Sequence, residues 1–310
     1  MYDTLHLWIP TEVLSSDDFG QITQRMDNVT EHIKEGRLSH ITGRVGRTFR
    51  TSVNERGVSL KGSLAKYHFG NNYYTLTRRD SQEAIERLSD ELILPVSEAK
   101  VTRIDMAQNF TMEHPAGVYY DYLGACRYYN RLRQPQSVSW QNKKRTKIMY
   151  DKVAEMKSRR VDIPVECRGQ NILRYEMRYK ERLGSQFNQP VVTAGHLTDE
   201  VFYRGLIEKF KSEYDSIVKV KRIGMDVSQV KTPNDFRELL QLVAIQKMGQ
   251  EAIEAKIEEM RLRRQFSRDE YYSREKNRLR QLGSKSSMHA QEQPIDELTA
   301  KVAYSARHCE

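Results

Sequence analysis

Arg103-Ile104-Asp105-Met106-Ala107-Gln108-Asn109 places its polar and charged side chains at alternate positions. A strand sends successive side chains to opposite faces, so a period of two collects Arg103, Asp105, Ala107 and Asn109 on one face and Ile104 and Met106 on the other. Leu173-Arg174-Tyr175-Glu176-Met177-Arg178-Tyr179-Lys180 repeats the pattern, with Arg174, Glu176, Arg178 and Lys180 set against Leu173, Tyr175, Met177 and Tyr179. Each stretch has one face built to be buried and one that is charged. If the two strands join one sheet, Asp105 and Glu176 converge among Arg103, Arg174 and Arg178. Paired carboxylates among cations suit Mg²⁺ or Mn²⁺ held beside a phosphate. The same alternation on an exposed sheet also forms simple cross-strand salt bridges, and the residues alone leave both readings open.

Outward from these stretches, Val101–Phe110 and Ile172–Lys180 predict strands, as do Asp3–Ile9 and Thr146–Tyr150. The last runs into a turn or helix at Asp151–Ser158. Arg47–Val53 and Val58–Phe69 flank the turn residues Asn54-Glu55-Arg56-Gly57 and predict a hairpin, broken at Gly70-Asn71-Asn72. Ser81 reads as the cap of a helix that ends before Pro95. Val118–Arg131, rich in tyrosine with apolar i, i+4 spacing, predicts a helix, and Asp199–Val218 an amphipathic one. Strands and helices intersperse without a βαβ repeat, which predicts an α+β body over residues 1–220. Beyond Val220 the texture becomes helical and basic. Thr232-Pro233-Asn234-Asp235 is a helix start, and the helical pattern runs on toward Phe266. Gly283–Pro294, rich in Ser and Gln, reads as a linker before a last helix at Ile295–Ala306, so 221–310 is expected to form a separate region.

The 310 residues carry a net charge of +9, concentrated in two blocks. Lys143 to Arg160 holds eight basic and two acidic residues, and Arg261 to Arg280 eight basic and three acidic ones. One such run is usually a solvated face; two together favour nucleic acid, because each phosphate neutralised by Lys or Arg releases counterions. Arg261–Arg280 reads as a grip on duplex DNA or a surface that recruits a helicase, with a solvated helix as the alternative and DNA contact ahead on charge. No apolar run approaches a membrane span and the first residues lack a signal-peptide pattern, so the expected location is the cytoplasm, with no membrane partner. Cys126, Cys167 and Cys309 are scattered and lack metal-site spacing.

Tyr150 stands where a short strand meets basic sequence, in Lys147-Ile148-Met149-Tyr150-Asp151-Lys152. A phenolate can displace a phosphodiester oxygen and conserve the bond as a phosphotyrosyl link. A free phenol, with a pKa near 10, needs a metal or cation to do so. Lys152 could lower that pKa or hold the phosphate. The chain has 17 tyrosines, however, and a tyrosine at a strand end is most often packing.

Gly62-Ser63-Leu64-Ala65-Lys66-Tyr67-His68-Phe69-Gly70-Asn71-Asn72, then Thr102–Phe110, Tyr150-Asp151-Lys152 and Leu173–Arg178 resemble, in order and spacing, the signature of phage and plasmid rolling-circle replication initiators of the II/X type. The likeness spans roughly residues 1–215. It implies a Rep-like catalytic domain with a mainly antiparallel sheet flanked by helices, and an enzyme that nicks one strand of origin DNA. It makes Tyr150 the nucleophile, giving a 5′-phosphotyrosyl adduct and a 3′-hydroxyl primer, with Lys152 as its partner. Asp105 and Glu176 become ligands of Mg²⁺ or Mn²⁺, joined by His68 on the strand face it is expected to share with Lys66. Arg103, Asn109, Arg174, Arg178 and Lys66 become DNA or phosphate contacts, with a host helicase and polymerase as further partners. The His-hydrophobic-His metal pair of the wider nicking superfamily is absent from the chain. The contrasting reading is a non-catalytic origin- or RNA-binding protein. Tyr119, Tyr120, Tyr128 and Tyr129 are candidates for a second nucleophile, although packing explains each of them better.

Overall fold

The computed structural model describes residues 1–14, 16–220, 230–286 and 294–309. Its strands are β1 (Tyr2–Pro10), β2 (Asp27–Lys34), β3 (Arg37–Val45), β4 (Phe49–Asn54), β5 (Gly57–Ser63), β6 (Lys100–Met112), β7 (Leu123–Cys126), β8 (Asn130–Gln134), β9 (Ser137–Gln141), β10 (Arg145–Asp151), β11 (Asn171–Lys180) and β12 (Ile217–Lys219). Among the described residues, ten of them form one sheet in the order β2-β3-β4-β5-β1-β6-β11-β10-β9-β8, while β7 and β12 pair separately. All ladders are antiparallel. The α+β class is as expected, with helices flanking the sheet.

The helices are α1 (Ser16–Gln24), α2 (Leu64–Phe69), α3 (Arg78–Leu92), α4 (Ala116–Tyr120), α5 (Lys152–Ser158), α6 (Leu183–Phe187), α7 (Glu200–Asp215), α8 (Pro233–Met248), α9 (Gln250–Leu262), α10 (Glu270–Ser286) and α11 (Pro294–His308). The two strands that opened the sequence reading lie side by side: β6 and β11 pair with Asp105 opposite Arg178, Ala107 opposite Glu176, and Asn109 opposite Arg174. Their apolar alternates, Ile104, Met106, Tyr175, Met177 and Tyr179, are all fully buried. Helix α7 seals that face. Its Phe210 ring lies 4.4 Å from the Tyr175 ring, and its Tyr203 meets Tyr2 edge-on at 5.7 Å. Burial of one such side chain contributes on the order of 2 kcal/mol, which fixes the register and so commits the opposite face to the charged residues.

Several local expectations give way to tertiary context. The run Val58–Phe69 is not one strand: β5 ends at Ser63, whose hydroxyl accepts from Lys66 N and caps α2, and Gly70 closes that helix at φ 77°. Helix α3 begins earlier than expected, because Thr77 and Asp80 form a reciprocal capping box upstream of Ser81. Val118–Arg131 is not a helix. It divides into the end of α4, strand β7 and the start of β8, because its backbone is drawn into ladders with β12 and β9. The Thr232 cap is present, but the helix it starts stops at Met248, and Gly249 (φ 83°) separates α8 from α9.

The chain divides into two units, Met1–Val220 with Pro294–Glu310, and Lys221–Gln293. Helix α11 therefore goes with the first unit rather than with the C-terminal region. Its Ile295, Leu298 and Val302 enter the main core, and Glu297 accepts from the Tyr119 hydroxyl and from Glu113 N. In the second unit, α8, α9 and α10 enclose Ile245, Ile257, Tyr272, Leu279 and Leu282. Of the expected linker, residues 283–286 are the last turn of α10, and 287–293 lie outside the described residues.

Candidate active site

The charged faces of β6 and β11 form the floor of a cleft of about 740 Å³, lined among others by Asp3, Lys66, Arg103, Asp105, Tyr150, Glu176 and Arg178. Tyr150 reaches it because β10 pairs with β11 in a register that sets Tyr150 opposite Arg174 and Ile148 opposite Glu176. The phenolic hydroxyl donates diagonally to Glu176 Oε2 at 3.3 Å. Burial pushes the phenol well above its ordinary value; the Arg174 guanidinium opposes that shift, and Glu176, Glu155 and Asp3 add to it. At neutral pH this hydroxyl is a proton donor that needs a base or a cation before it can attack.

Asp105 and Glu176 are 2% and 5% exposed, so their charges need compensation. Arg103 supplies it to Asp105 through a two-pronged contact, Nε to Oδ1 at 2.7 Å and Nη2 to Oδ2 at 2.6 Å. Arg178 Nε bridges the two carboxylates, 2.7 Å from Glu176 Oε1 and 3.9 Å from Asp105 Oδ2. Burial nonetheless pushes the Asp105 carboxyl up to about 6, against the Arg103 hydrogen bonds and with the help of Glu176. Arg103 and Arg178 keep 26% and 35% of their side chains exposed, so both guanidinium groups are accessible from the cleft. The donor set fits a divalent cation of the Mg²⁺ kind, which takes one or two carboxylates and completes its shell with phosphate oxygens and water.

Arg174, expected at the phosphate, is instead buried beneath the cleft. Its Nη2 donates to Asp3 Oδ2 at 2.7 Å, and its Nη1 to Asn72 O at 2.9 Å and Asn109 Oδ1 at 3.2 Å. Asn109 in turn donates to Tyr73 O at 2.6 Å. Arg174 and Asn109 thus pin the loop after Gly70 to the sheet. Lys152 is likewise committed: 1% exposed, its Nζ donates to Asn72 Oδ1 at 3.0 Å and Glu155 Oε2 at 2.9 Å. Lys66, on α2 rather than on a strand, lines the cleft.

His68 does not join Asp105 and Glu176. Its helix turns it toward α3, where Nε2 lies 3.7 Å from Asp80 Oδ1 and a ligand atom of Glu83 completes a group within 4.8 Å. Of the spare tyrosines, Tyr119 and Tyr120 are buried, Tyr129 donates to Glu213, and Tyr128 is 78% exposed.

Sequence reasoning missed Asp3, Asn72 and Glu155. A bulge in the β1–β6 ladder sets both Asp3 and Thr4 against the stretch around Asp105, which turns Asp3 toward Arg174. Only its place in a strand with apolar alternates could have signalled it. The basic block Lys143 to Arg160 is also partly interior. Lys147 is fully buried, with Nζ 2.7 Å from Glu213 Oε2, and Arg159 pairs with Glu155 at 2.7 Å.

No helix among the described residues is long and apolar enough to cross a membrane. No curated protein matches the chain. A phage family described as the N-terminal part of a replication-associated protein matches residues 1–214, the stretch that carries the sheet, the cleft and Tyr150. The chain therefore belongs to this phage replication-associated family, and its role is that of a DNA-binding replication initiator.

Proposed function

We propose that the protein nicks one strand of origin DNA by transesterification through Tyr150. The observation that supports this reading best is the 3.3 Å contact from the Tyr150 hydroxyl to Glu176, in a cleft that also presents Asp105, Arg103, Arg178 and Lys66. The scissile phosphate lies against Arg103, Arg178 and Lys66. Asp105 and Glu176 would hold Mg²⁺ or Mn²⁺, which would withdraw charge from the phosphate and favour the phenolate. Glu176 orients the hydroxyl, the phenolic proton passes to water, and the phenolate oxygen forms a bond to phosphorus. The bond from phosphorus to the 3′ oxygen breaks, its electron pair stays on that oxygen, and a proton from water gives the 3′-hydroxyl primer. The 5′-phosphotyrosyl link keeps the phosphoester energy, so reversal reseals the strand without a cofactor. Arg174 and Lys152 position the site from below.

The test is incubation with labelled single-stranded and supercoiled origin DNA in Mg²⁺ or Mn²⁺. A covalent protein–DNA adduct is expected from the wild type and not from Tyr150→Phe. An adduct that persists in Tyr150→Phe would remove the assignment. Salt-sensitive binding with no cleavage of any substrate would mean that the Arg103–Asp105 and Arg178–Glu176 pairs are only ion pairs of a binding protein.

A further inference from the structure

The three-helix unit sorts its basic residues in two ways. Arg261 pairs with Asp269 at 2.6 Å, Arg263 with Glu259 at 2.7 Å, Lys276 with Glu258, and Arg280 with Glu254 at 2.7 Å. Arg264, Arg268, Arg274 and Arg278, from the same segment, are exposed and have no acidic partner among the described residues. On α10, Tyr272, Leu279 and Leu282 turn inward, while Tyr271, Arg274 and Arg278 (i, i+3, i+7) run along an exposed flank of the helix that borders this core. Arg264 and Arg268, in the turn from α9, lie just ahead of it in sequence. Like charges four residues apart, as at 274 and 278, weaken a helix by a few tenths of a kcal/mol. Nearby acids neutralise the neighbouring cations and leave these exposed.

This flank has a second property. Tyr271 is 36% exposed, although Tyr272 beside it is buried. An aromatic ring in line with unpaired guanidinium groups spaced about 6 Å along a helix axis combines the two elements of single-strand binding: phosphate contact and a platform for bases. Duplex DNA offers no unstacked base to such a ring. A replication initiator works where a strand is being exposed, so this polyanion is at hand.

We infer that Tyr271, Arg274 and Arg278, led by Arg264 and Arg268, form a sequence-tolerant track for single-stranded DNA on the second unit. The track rests on membership of the replication-initiator family and not on the chemistry of Tyr150. Its failure therefore leaves the nicking proposal untouched, and loss of nicking leaves the track untouched.

The test uses the full chain and a fluorescein-labelled oligothymidylate without origin sequence, with anisotropy followed across a salt series. Substitution of both Arg274→Glu and Arg278→Glu is expected to weaken binding at least about tenfold near 0.1 M salt. The same change should flatten the plot of log affinity against log salt by about 1.4, since each phosphate no longer neutralised lowers the slope by about 0.7. Arg274→Gln with Arg278→Gln provides a milder form with the same direction. Tyr271→Ala is expected to weaken binding at least about fivefold with the slope unchanged, and Tyr271→Phe to restore it. Affinity and slope equal to wild type in the folded charge variants, checked by circular dichroism, would overturn the track. Loss of binding confined to duplex competitors would overturn its single-strand assignment.

Discussion

The Tyr150 hydroxyl and Glu176 Oε2 meet at 3.3 Å across a diagonal of the β10–β11 ladder. The contact is fixed by register, because Tyr150 opposes Arg174 and a slip of one residue would send Tyr150 into the aromatic core under α7. Any function given to one of the two residues therefore constrains the other.

Tyr150→Phe should separate chemistry from folding. The hydrogen bond it removes is worth about 1 kcal/mol, so thermal unfolding should shift by only a few degrees while the covalent adduct disappears. A collapse of the melting transition would show that the hydroxyl is structural.

Asp105 should link activity and stability with opposite signs. The folded state holds a proton on it up to about pH 6, whereas the unfolded chain releases that proton near the ordinary value of 3.8. Between those values the native state binds more protons than the unfolded one, so stability from this group falls as pH rises toward 6. Cation binding needs the ionised carboxylate, so metal-stimulated cleavage should rise over the same interval. Asp105→Asn should abolish that stimulation and stabilise the protein at pH 7 by up to about 3 kcal/mol, at 1.36 kcal/mol per pH unit. Calorimetry at pH 4.5 and 7 measures the second effect, which should shrink at the lower pH.

Asp3→Ala should be among the most damaging substitutions near the cleft. It leaves the Arg174 guanidinium, 3% exposed, without its 2.7 Å partner, at a cost of about 3–5 kcal/mol. Burial opposes ionisation of Asp3, but Arg174 and the Ser63 hydroxyl outweigh it and hold the carboxyl below its ordinary value. The stabilisation is therefore present at neutral pH and lost as pH falls below about 3.8. Urea unfolding of Asp3→Ala and Asp3→Asn measures it, with Asn expected to recover part of the loss.

His68→Gln should leave metal-stimulated cleavage intact, because His68 faces Asp80 and not the cleft. The pair is partly buried and long, at 3.7 Å, so the stability cost should be on the order of 1 kcal/mol. A metal requirement raised tenfold or more would return His68 to the ligand set.

The sheet was legible at its centre because both β6 and β11 bury one full face, so burial writes a period of two into the residues. The hairpin of β4 and β5 and the cap at Thr232 were legible for a local reason, since a cap or turn needs only residues within reach of itself. Val118–Arg131 misled because short strands at the side of a sheet draw their hydrogen bonds from distant partners, here β12 and β9. His68 misled because one capping hydroxyl, on Ser63, turned an apparent strand into a helix and rotated the imidazole away.

By itself the sequence determined which face of each central strand is charged, and hence that Asp105 and Glu176 would share a surface with Arg103 and Arg178 once the two strands paired, a pairing that the tertiary structure supplies. It also placed Tyr150 between those strands in chain order. Only the tertiary structure decided how the cations are used. Whether an arginine meets solvent or lies beneath the floor depends on what packs over it. Arg103 and Arg178 stay in the cleft, whereas Arg174 and Lys152 are held below it by Asp3, Asn72 and Glu155. Those partners come from β1, the loop after α2, and α5, and no spacing along the chain reveals their approach.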